Sequence, residues 1–275
     1  MLQLLKIEWL KIKNYKAFII IASCFGLGVI AANYIVFLIN KNINENLSMA
    51  QLLTNSYKPY GFDNTWQTTS YVTGWMLMLP ALLVIMLTTN EFTYRTHRQN
   101  IIDGWSRQQF TNVKLMVAVV MALATTAVVF LTALIFGAFS GTPFSVNGIS
   151  HIGFFFVKAL SYNMIAVLFS VLLRRTGFAI GLFFIYLGVE NIISQLLDQW
   201  SMKIKIDSGK DLGSMGDYLP MNASDGLLTF PDIAAKKMAQ AIMPTNYVWV
   251  TAVIALCYLG LFFWWSKRRM QYSDL

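Results

Sequence analysis

The sequence predicts an all-α integral membrane protein with six transmembrane helices. Of its 275 residues, 56% are hydrophobic and 12% are charged, whereas about 25% of residues are charged in an average soluble domain. The apolar runs are also long and unbroken, which suits helices in lipid, because the strands of a membrane barrel are short and alternate between polar and apolar residues. The composition therefore excludes an ordinary soluble globular protein.

The apolar runs divide the chain, which we treat as a single transmembrane domain over residues 1–275, into six spans. A helix needs about 20 residues to cross the hydrocarbon layer, and each run approaches or exceeds that length. The second run contains Pro80, which removes a backbone donor and predicts a kink. The predicted spans are residues 17–39, 72–89, 115–139, 152–173, 177–197 and 247–265.

The polar segments around these spans predict three further elements. Residues 1–16 carry apolar residues at spacings of three and four with lysines between them, as in an amphipathic helix that lies in the membrane interface. Residues 91–114 are basic and partly amphipathic. Residues 198–244 form a long polar segment, in which residues 231–243 are predicted to form a short helix with proline in its first turn.

The basic residues predict the orientation of the chain in the membrane. The segments on one side of the spans hold 13 Lys and Arg residues, whereas the short loops on the other side, 40–70 and 140–150, hold only Lys41 and Lys58. Lys and Arg concentrate in cytoplasmic loops, so both termini and residues 91–114 are predicted to face the cytoplasm. The same loops explain the net charge of +8, and we expect no nucleic acid as a partner.

The usual signatures of catalysis are missing from the sequence. It contains no Gly-rich phosphate loop of the Walker type, no His-Glu-x-x-His, no Gly-x-Ser-x-Gly and no Cys-x-x-Cys motif. His97 and His151 fall on opposite membrane faces of the predicted topology, which argues against a shared metal site. Cys24 and Cys257 lie inside apolar runs, where we expect packing residues and no disulfide. We therefore expect no enzymatic activity, cofactor or metal ion in this chain.

Two charged residues, Lys158 and Glu190, fall inside predicted spans. Counted from the Arg174-Arg175 turn, both lie about 23 Å above the inner face, so neighbouring antiparallel helices would bring them to one depth. An unpaired charge in lipid costs several kcal/mol, and we expect either an ion pair or two groups that line a polar vestibule. The alternative is that Lys158 extends outward to the interface while Glu190 bonds Asn191 or a neighbouring helix.

Residues 91–114 contain a series of residue types in a particular order. The series runs from an acidic residue at the inner end of the second span, through a threonine, an apolar pair and a Ser-Arg pair, to an apolar residue and a lysine that opens the third span. This order resembles the motif of the transmembrane subunits of ABC transporters of the ABC-2 type, the six-span permeases of many bacterial exporters. Arg95 and Gly104 stand where that motif often has glycine and proline. The matching residues are Glu91, Thr96, Ile101, Ile102, Ser106, Arg107, Phe110 and Lys114, and Glu8 and Lys11 of the first helix also fit.

The resemblance implies that the residues after Glu91 form a coupling helix, which docks into a groove of a separate ATPase subunit. ATP would bind to that subunit and not to this chain. In such a surface an apolar anchor is surrounded by charged residues that steer the partner. The anchor would comprise Ile101, Ile102, Trp105 and Phe110, and the rim Arg95, Arg98 and Arg107.

The resemblance also implies a larger assembly. Two permeases, either two copies of this chain or this chain with a paralogue, would combine with two ATPases, and the first, second and fifth spans would line the pathway. The sequence therefore predicts the permease subunit of an ATP-driven exporter in a bacterial inner membrane, and it leaves the substrate open. Two alternatives are a membrane scaffold that recruits a cytoplasmic partner and an ion-coupled carrier with Lys158 and Glu190 as its relay.

Overall fold

The structure of the chain, a computed structural model, describes residues 2–46, 58–96, 99, 102, 104–231 and 243–272. It is 80% helical, and no strand occurs within these ranges. A 3-10 turn lies at Met215–Tyr218. The helices are α1 (Leu2–Ile12), α2 (Lys16–Asn46), α3 (Phe62–Gly74), α4 (Met78–Thr93), α5 (Arg107–Phe139), α6 (Ser150–Leu173), α7 (Thr176–Ser208), α8 (Asn222–Asp225) and α9 (Val248–Tyr272).

Five of these helices, α2, α5, α6, α7 and α9, are long and apolar enough to cross a membrane. The pair α3 and α4 passes the same test together, but it is bent by 50° at the break between the two helices. Counting the bent pair as one span gives six spans. The structure thus confirms an all-helical multi-pass membrane protein.

The break in the second span lies at residues 75–77. Pro80 lies in the first turn of α4 and has no N–H to donate to the carbonyl of Met76, which accepts instead from the backbone N–H of Leu79 over 3.0 Å. The chain therefore bends just before the proline, as a proline kink requires. Helix α3 begins at Phe62, ten residues before the predicted start at 72. The prediction omitted these residues because several of them carry polar hydroxyl side chains, although those side chains are buried. For example, Thr65 donates to the backbone oxygen of Ala133 in α5 over 3.2 Å.

Helix α6 lies at the centre of the bundle. It packs against α3, α4, α5, α7 and α9, and 72% of its most apolar stretch is buried, compared with 17–28% in the other four long helices. Its polar side chains therefore contact other helices rather than lipid. Asn163, for example, donates from Nδ2 to the backbone oxygen of Ala118 in α5 over 3.0 Å.

The basic end of the bundle comprises α1, the last turn of α4, the first turns of α5, the Arg174-Arg175 turn between α6 and α7, and the last turn of α9. Contacts join these elements. The hydroxyls of Thr89 and Thr176 lie 2.7 Å apart, and the Arg174 guanidinium lies 5.7 Å from the centre of the Phe92 ring. The turn between α6 and α7 is thus held against the last turns of α4 at this end of the bundle.

The opposite, far end is covered by residues 209–231, which we call the closing segment. Helix α7 does not stop at residue 197, as predicted, but continues to Ser208. At 33 residues it is about 50 Å long and exceeds a hydrocarbon layer of about 30 Å. The closing segment then turns back, and its helix α8 packs on α6, α7 and α9. The short helix predicted within 231–243 falls on residues 232–242, which lie outside the described residues.

Candidate functional site

Four charged side chains meet at the basic end and form what we call the charge ring. The Lys114 ammonium lies 2.6 Å from Oε2 of Glu8 and 2.8 Å from Oε1 of Glu91. The Lys11 ammonium lies 3.0 Å from Oε1 of Glu8 and 3.2 Å from the same Glu91 oxygen. Acidic and basic groups therefore alternate around the ring, and they join α1, α4 and α5.

The charge ring is buried apart from one member. Glu8, Glu91 and Lys114 are nearly inaccessible, whereas the Lys11 side chain is 39% exposed. Burial raises the pKa of Glu8, but attraction to Lys114 and Lys11 outweighs burial, and the net pKa lies below its usual value of 4.5. Burial lowers the pKa of Lys11, and attraction to Glu91 and Glu8 outweighs it, so the net pKa is raised. Glu8 and Lys11 are therefore both ionised at neutral pH.

Helix α1 turns its charged side toward the bundle. Glu8 and Ile12 are buried against α4 and α5, whereas Ile7, Trp9 and Leu10 on the other sides are exposed. The predicted apolar face is thus divided, because Ile12 faces the protein and Trp9 faces outward. An outward apolar surface at the end of a membrane bundle suits a helix in the membrane interface, which stays a prediction.

The predicted coupling segment is shorter in the structure than in the sequence analysis. Residues 107–114 form the first two turns of α5, and Ser106 caps this helix by accepting from the backbone N–H of Gln109 over 3.1 Å. The connection between α4 and α5 is therefore residues 94–106. Within it, the side chain of Ile102 is 84% exposed.

The structure separates the predicted coupling residues into an exposed and a buried set. Glu91 belongs to the charge ring, and Phe110 lies in the core with its ring centre 5.7 Å from the Lys114 ammonium, so the expected role of Phe110 as a surface anchor is wrong for this conformation. Trp105 and Thr96 are half-buried. Arg98 and Ile101 lie outside the described residues. The exposed set is Arg95, Ile102, Ser106 and Arg107.

Arg95 ends α4 in a left-handed backbone conformation, with φ of 55°. This conformation costs roughly 1 kcal/mol for a residue with a Cβ and little for glycine. Glycine is frequent at this position in the motif that the segment resembles, and the backbone gives the reason. We expect Arg95→Gly to raise the free energy of unfolding by about 0.5–1 kcal/mol, measured by unfolding the solubilised protein. Arg95→Ala keeps the Cβ, and an equal gain in that variant would contradict the explanation.

Lys158 forms an ion pair at the far end, but not with the predicted partner. Its ammonium lies 3.2 Å from Oδ1 of Asp225 in α8, and the Tyr162 hydroxyl donates to the other Asp225 oxygen over 3.1 Å. The expected Lys158–Glu190 pair is therefore corrected to Lys158–Asp225. The sequence analysis missed Asp225 because it lies in a polar segment without periodicity, whose fold over the bundle depends on tertiary contacts.

The Glu190 carboxylate instead binds the backbone of the closing segment. Its Oε1 accepts from the backbone N–H of Met221 over 2.6 Å and from that of Asn222 over 2.8 Å. These donors belong to the start of α8, where N–H groups have no helical partner. A carboxylate that accepts several N–H groups is stabilised without a cation. Lys158 and Glu190 thus lie in one region and fix the same segment by different contacts.

A cavity of about 880 Å³ opens beside these contacts. It is bounded by the end of α3, the start of α4, the middle of α7 and the closing segment. Its polar lining includes Lys158, Asp217 and Asp225, and its apolar lining includes Tyr71 and Trp75. No group of three or more His, Cys, Asp or Glu side chains suited to a metal ion occurs among the residues that the structure describes.

Comparison with known proteins gives one match. A family model described as an ABC-2 family transporter protein matches residues 4–190. This range contains the charge ring, the connection 94–106, the broken second span and Lys158, and it ends at Glu190, before the closing segment. Neither a curated protein nor a solved structure matches the chain.

Proposed function

Because the chain belongs to the ABC-2 transporter family, we propose that it is the permease subunit of an ATP-driven exporter in a bacterial inner membrane. In this proposal the basic end faces the cytoplasm, and a separate ATPase subunit binds and hydrolyses ATP. The chain works beside a second permease, either another copy or a paralogue. The first, second and fifth spans, which are α2, the α3–α4 pair and α7, line the pathway.

One observation supports the docking surface in this proposal. The side chain of Ile102, between the second and third spans, is 84% exposed. Exposed Arg95 and Arg107 flank it. A large aliphatic side chain with basic neighbours has the composition of an interface anchor with a charged rim. In the proposal, Ile102 inserts into a groove of the ATPase subunit, and the arginines contact acidic groups around that groove.

The charge ring supports a route for force from this surface into the spans. The connection 94–106 starts where α4 ends and stops where α5 begins, and Glu91 and Lys114 join those two helix ends over 2.8 Å. Helix α1 is held to both through Glu8 and Lys11. A displacement of the docking surface therefore moves the second span, the third span and α1 together, as rigid-body transitions between inward and outward access require.

The proposal is tested by purifying the tagged chain from its native membrane in mild detergent and assaying the co-purified proteins for ATP hydrolysis. We expect an ATPase subunit with the wild type. We expect Ile102→Glu combined with Arg107→Glu to reduce its recovery by at least about tenfold, since interface anchors often contribute 2 kcal/mol or more. Both side chains are exposed, so the fold is retained.

Ile206 provides the matched control, because it is also exposed but lies near the end of α7 at the far end. The variant Ile206→Glu makes the same isoleucine-to-glutamate change as Ile102→Glu and is expected to retain the ATPase. If the wild type brings no ATPase in several mild detergents, the transporter proposal is abandoned. If Ile206→Glu loses as much ATPase as the double variant, only the assignment of the docking surface is overturned.

A further inference from the structure

The cavity at the far end has an unusual balance of charge. Asp217 and Asp225 line it, Asp198 lies close enough to Asp217 to raise its pKa, and Lys158 is the one cation among the described residues that line it. Lys158 is already paired with Asp225. Among the described residues that line it, the cavity therefore has an excess of negative charge and no second basic side chain to neutralise it.

Of the two carboxylates that line the cavity, Asp225 is paired with Lys158, and Asp217 accounts for the excess negative charge. Within the described residues, no hydrogen bond or ion pair reaches its side chain, and it packs against Gly226, where an added Cβ would lie 2.6 Å from the Asp217 Cγ. Burial raises the pKa of Asp217 to about 7, and repulsion from Asp198 and Asp225 adds to the shift. The carboxylate is thus held half-buried, without a partner, at the wall of a cavity.

Part of the cavity wall is aromatic and is formed by Tyr71, Trp75 and Phe230. Tyr71 packs edge-to-face against Phe230, with ring centres 5.6 Å apart, and against Trp75, with ring centres 6.3 Å apart. Trp75 lies at the break of the second span and is largely exposed. Faces of electron-rich rings attract cations within about 6 Å of their centres. The aromatic wall and Asp217 would therefore favour the same kind of ligand.

We propose that the far-end cavity binds an organic cation, with Asp217 facing its ammonium or phosphonium centre and Tyr71, Trp75 and Phe230 facing its apolar groups. A volume of about 880 Å³ lies within the usual range for drug-sized ligands, roughly 300–1,000 Å³. The proposal rests on the proposed transport function, because the cavity opens between the second and fifth spans, and it assigns the substrate class of that pathway.

The proposal implies a pH dependence with a definite sign. A bound cation stabilises the Asp217 carboxylate, so binding is coupled to loss of a proton. With a pKa of about 7 in the empty cavity, affinity is expected to fall about tenfold between pH 8 and pH 6. The other titratable groups that face Asp217 are Asp198 from α7, Asp225 from α8 and Tyr218 beside it.

The test measures binding of radiolabelled tetraphenylphosphonium to the full chain in lipid nanodiscs at pH 8 and pH 6. Tetraphenylborate has nearly the same shape and the opposite charge, and empty nanodiscs report partition into lipid. We expect saturable binding of the cation alone, with the tenfold pH effect. Asp217→Asn should lower the affinity at pH 8 by about tenfold and remove the pH dependence, and Trp75→Leu should lower it severalfold.

Asp207→Asn is the matched control, because it removes an exposed carboxylate near the end of α7 and should bind like the wild type. Thermal unfolding is measured in parallel, and Asp217→Asn should be no less stable, since it removes a charge that is unfavourable in the folded state above pH 7. Equal binding of cation and anion, or unchanged affinity in Asp217→Asn, would overturn the inference. Because no ATPase is needed, this failure is distinct from failure of the proposed function.

Discussion

Replacing Lys114 with methionine is expected to lower the free energy of unfolding by about 3–5 kcal/mol, the usual effect of removing one partner of a buried ion pair. The variant leaves Glu8 and Glu91, both nearly inaccessible, to share Lys11, which is 39% exposed. The aliphatic part of lysine is kept, so little packing is lost. The measurement is equilibrium unfolding of the solubilised protein with increasing SDS.

Lys13→Met is the matched control, because Lys13 is exposed and the variant should change stability by less than about 0.5 kcal/mol. In the double variant Lys114→Met, Glu8→Gln the loss should be smaller than the sum of the single losses, since the glutamine removes the uncompensated charge. Additive losses would contradict the charge ring. The contribution of ionised Glu8 to the free energy of unfolding is fully present above pH 4.5, its ordinary pKa. That contribution is lost as the pH falls through the lowered pKa of Glu8 in the folded protein.

The second large effect is expected at Lys158. Lys158→Met leaves Asp225 beside Asp217 and Glu190 without the ammonium 3.2 Å from its carboxylate, and we expect a loss of about 3 kcal/mol. Since α8 is fixed to α6 by this pair and by Tyr162, the closing segment should open first. Limited proteolysis within residues 209–231 measures this opening, and SDS unfolding measures the total loss.

Two double-mutant cycles identify the partner of Lys158. In the cycle of Lys158→Met with Asp225→Asn, the losses should be coupled by at least about 1 kcal/mol. In the cycle of Lys158→Met with Glu190→Gln, the coupling should be smaller, because Glu190 bonds to backbone N–H groups. A larger coupling of Lys158 with Glu190 than with Asp225 would favour the Lys158–Glu190 pair predicted from the sequence and would contradict the Lys158–Asp225 contact.

The sequence predicts the membrane class and the number of spans well, because long apolar runs determine both. It predicts boundaries less well where polar residues are buried. Hydropathy does not find the start of α3, because Thr65 and Thr68 are polar residues that are buried and donate to backbone oxygens inside the protein. The extension of α7 to Ser208 was missed because its last turns are polar and lie beyond the apolar run.

The candidate sites were predicted in part. Glu8, Lys11, Glu91 and Lys114 were noted as residues of one family pattern, but four positions up to 106 residues apart in sequence gave no sign that they form one ring. Lys158 was expected either to pair with Glu190 or to line a polar vestibule, and in the structure it pairs with Asp225. Its partner could not be found, because the position of Asp225 follows from the fold of the closing segment, which no local pattern determines.

The charge ring has one further consequence, which concerns the membrane voltage. Its two glutamates and two lysines carry no net charge when all are ionised. A potential of 100 mV does work of about 2.3 kcal/mol on an elementary charge that crosses the whole membrane, but to first order it does none on a neutral group that moves as a unit. The charge ring itself can therefore shift within the electric field without resistance from the membrane potential.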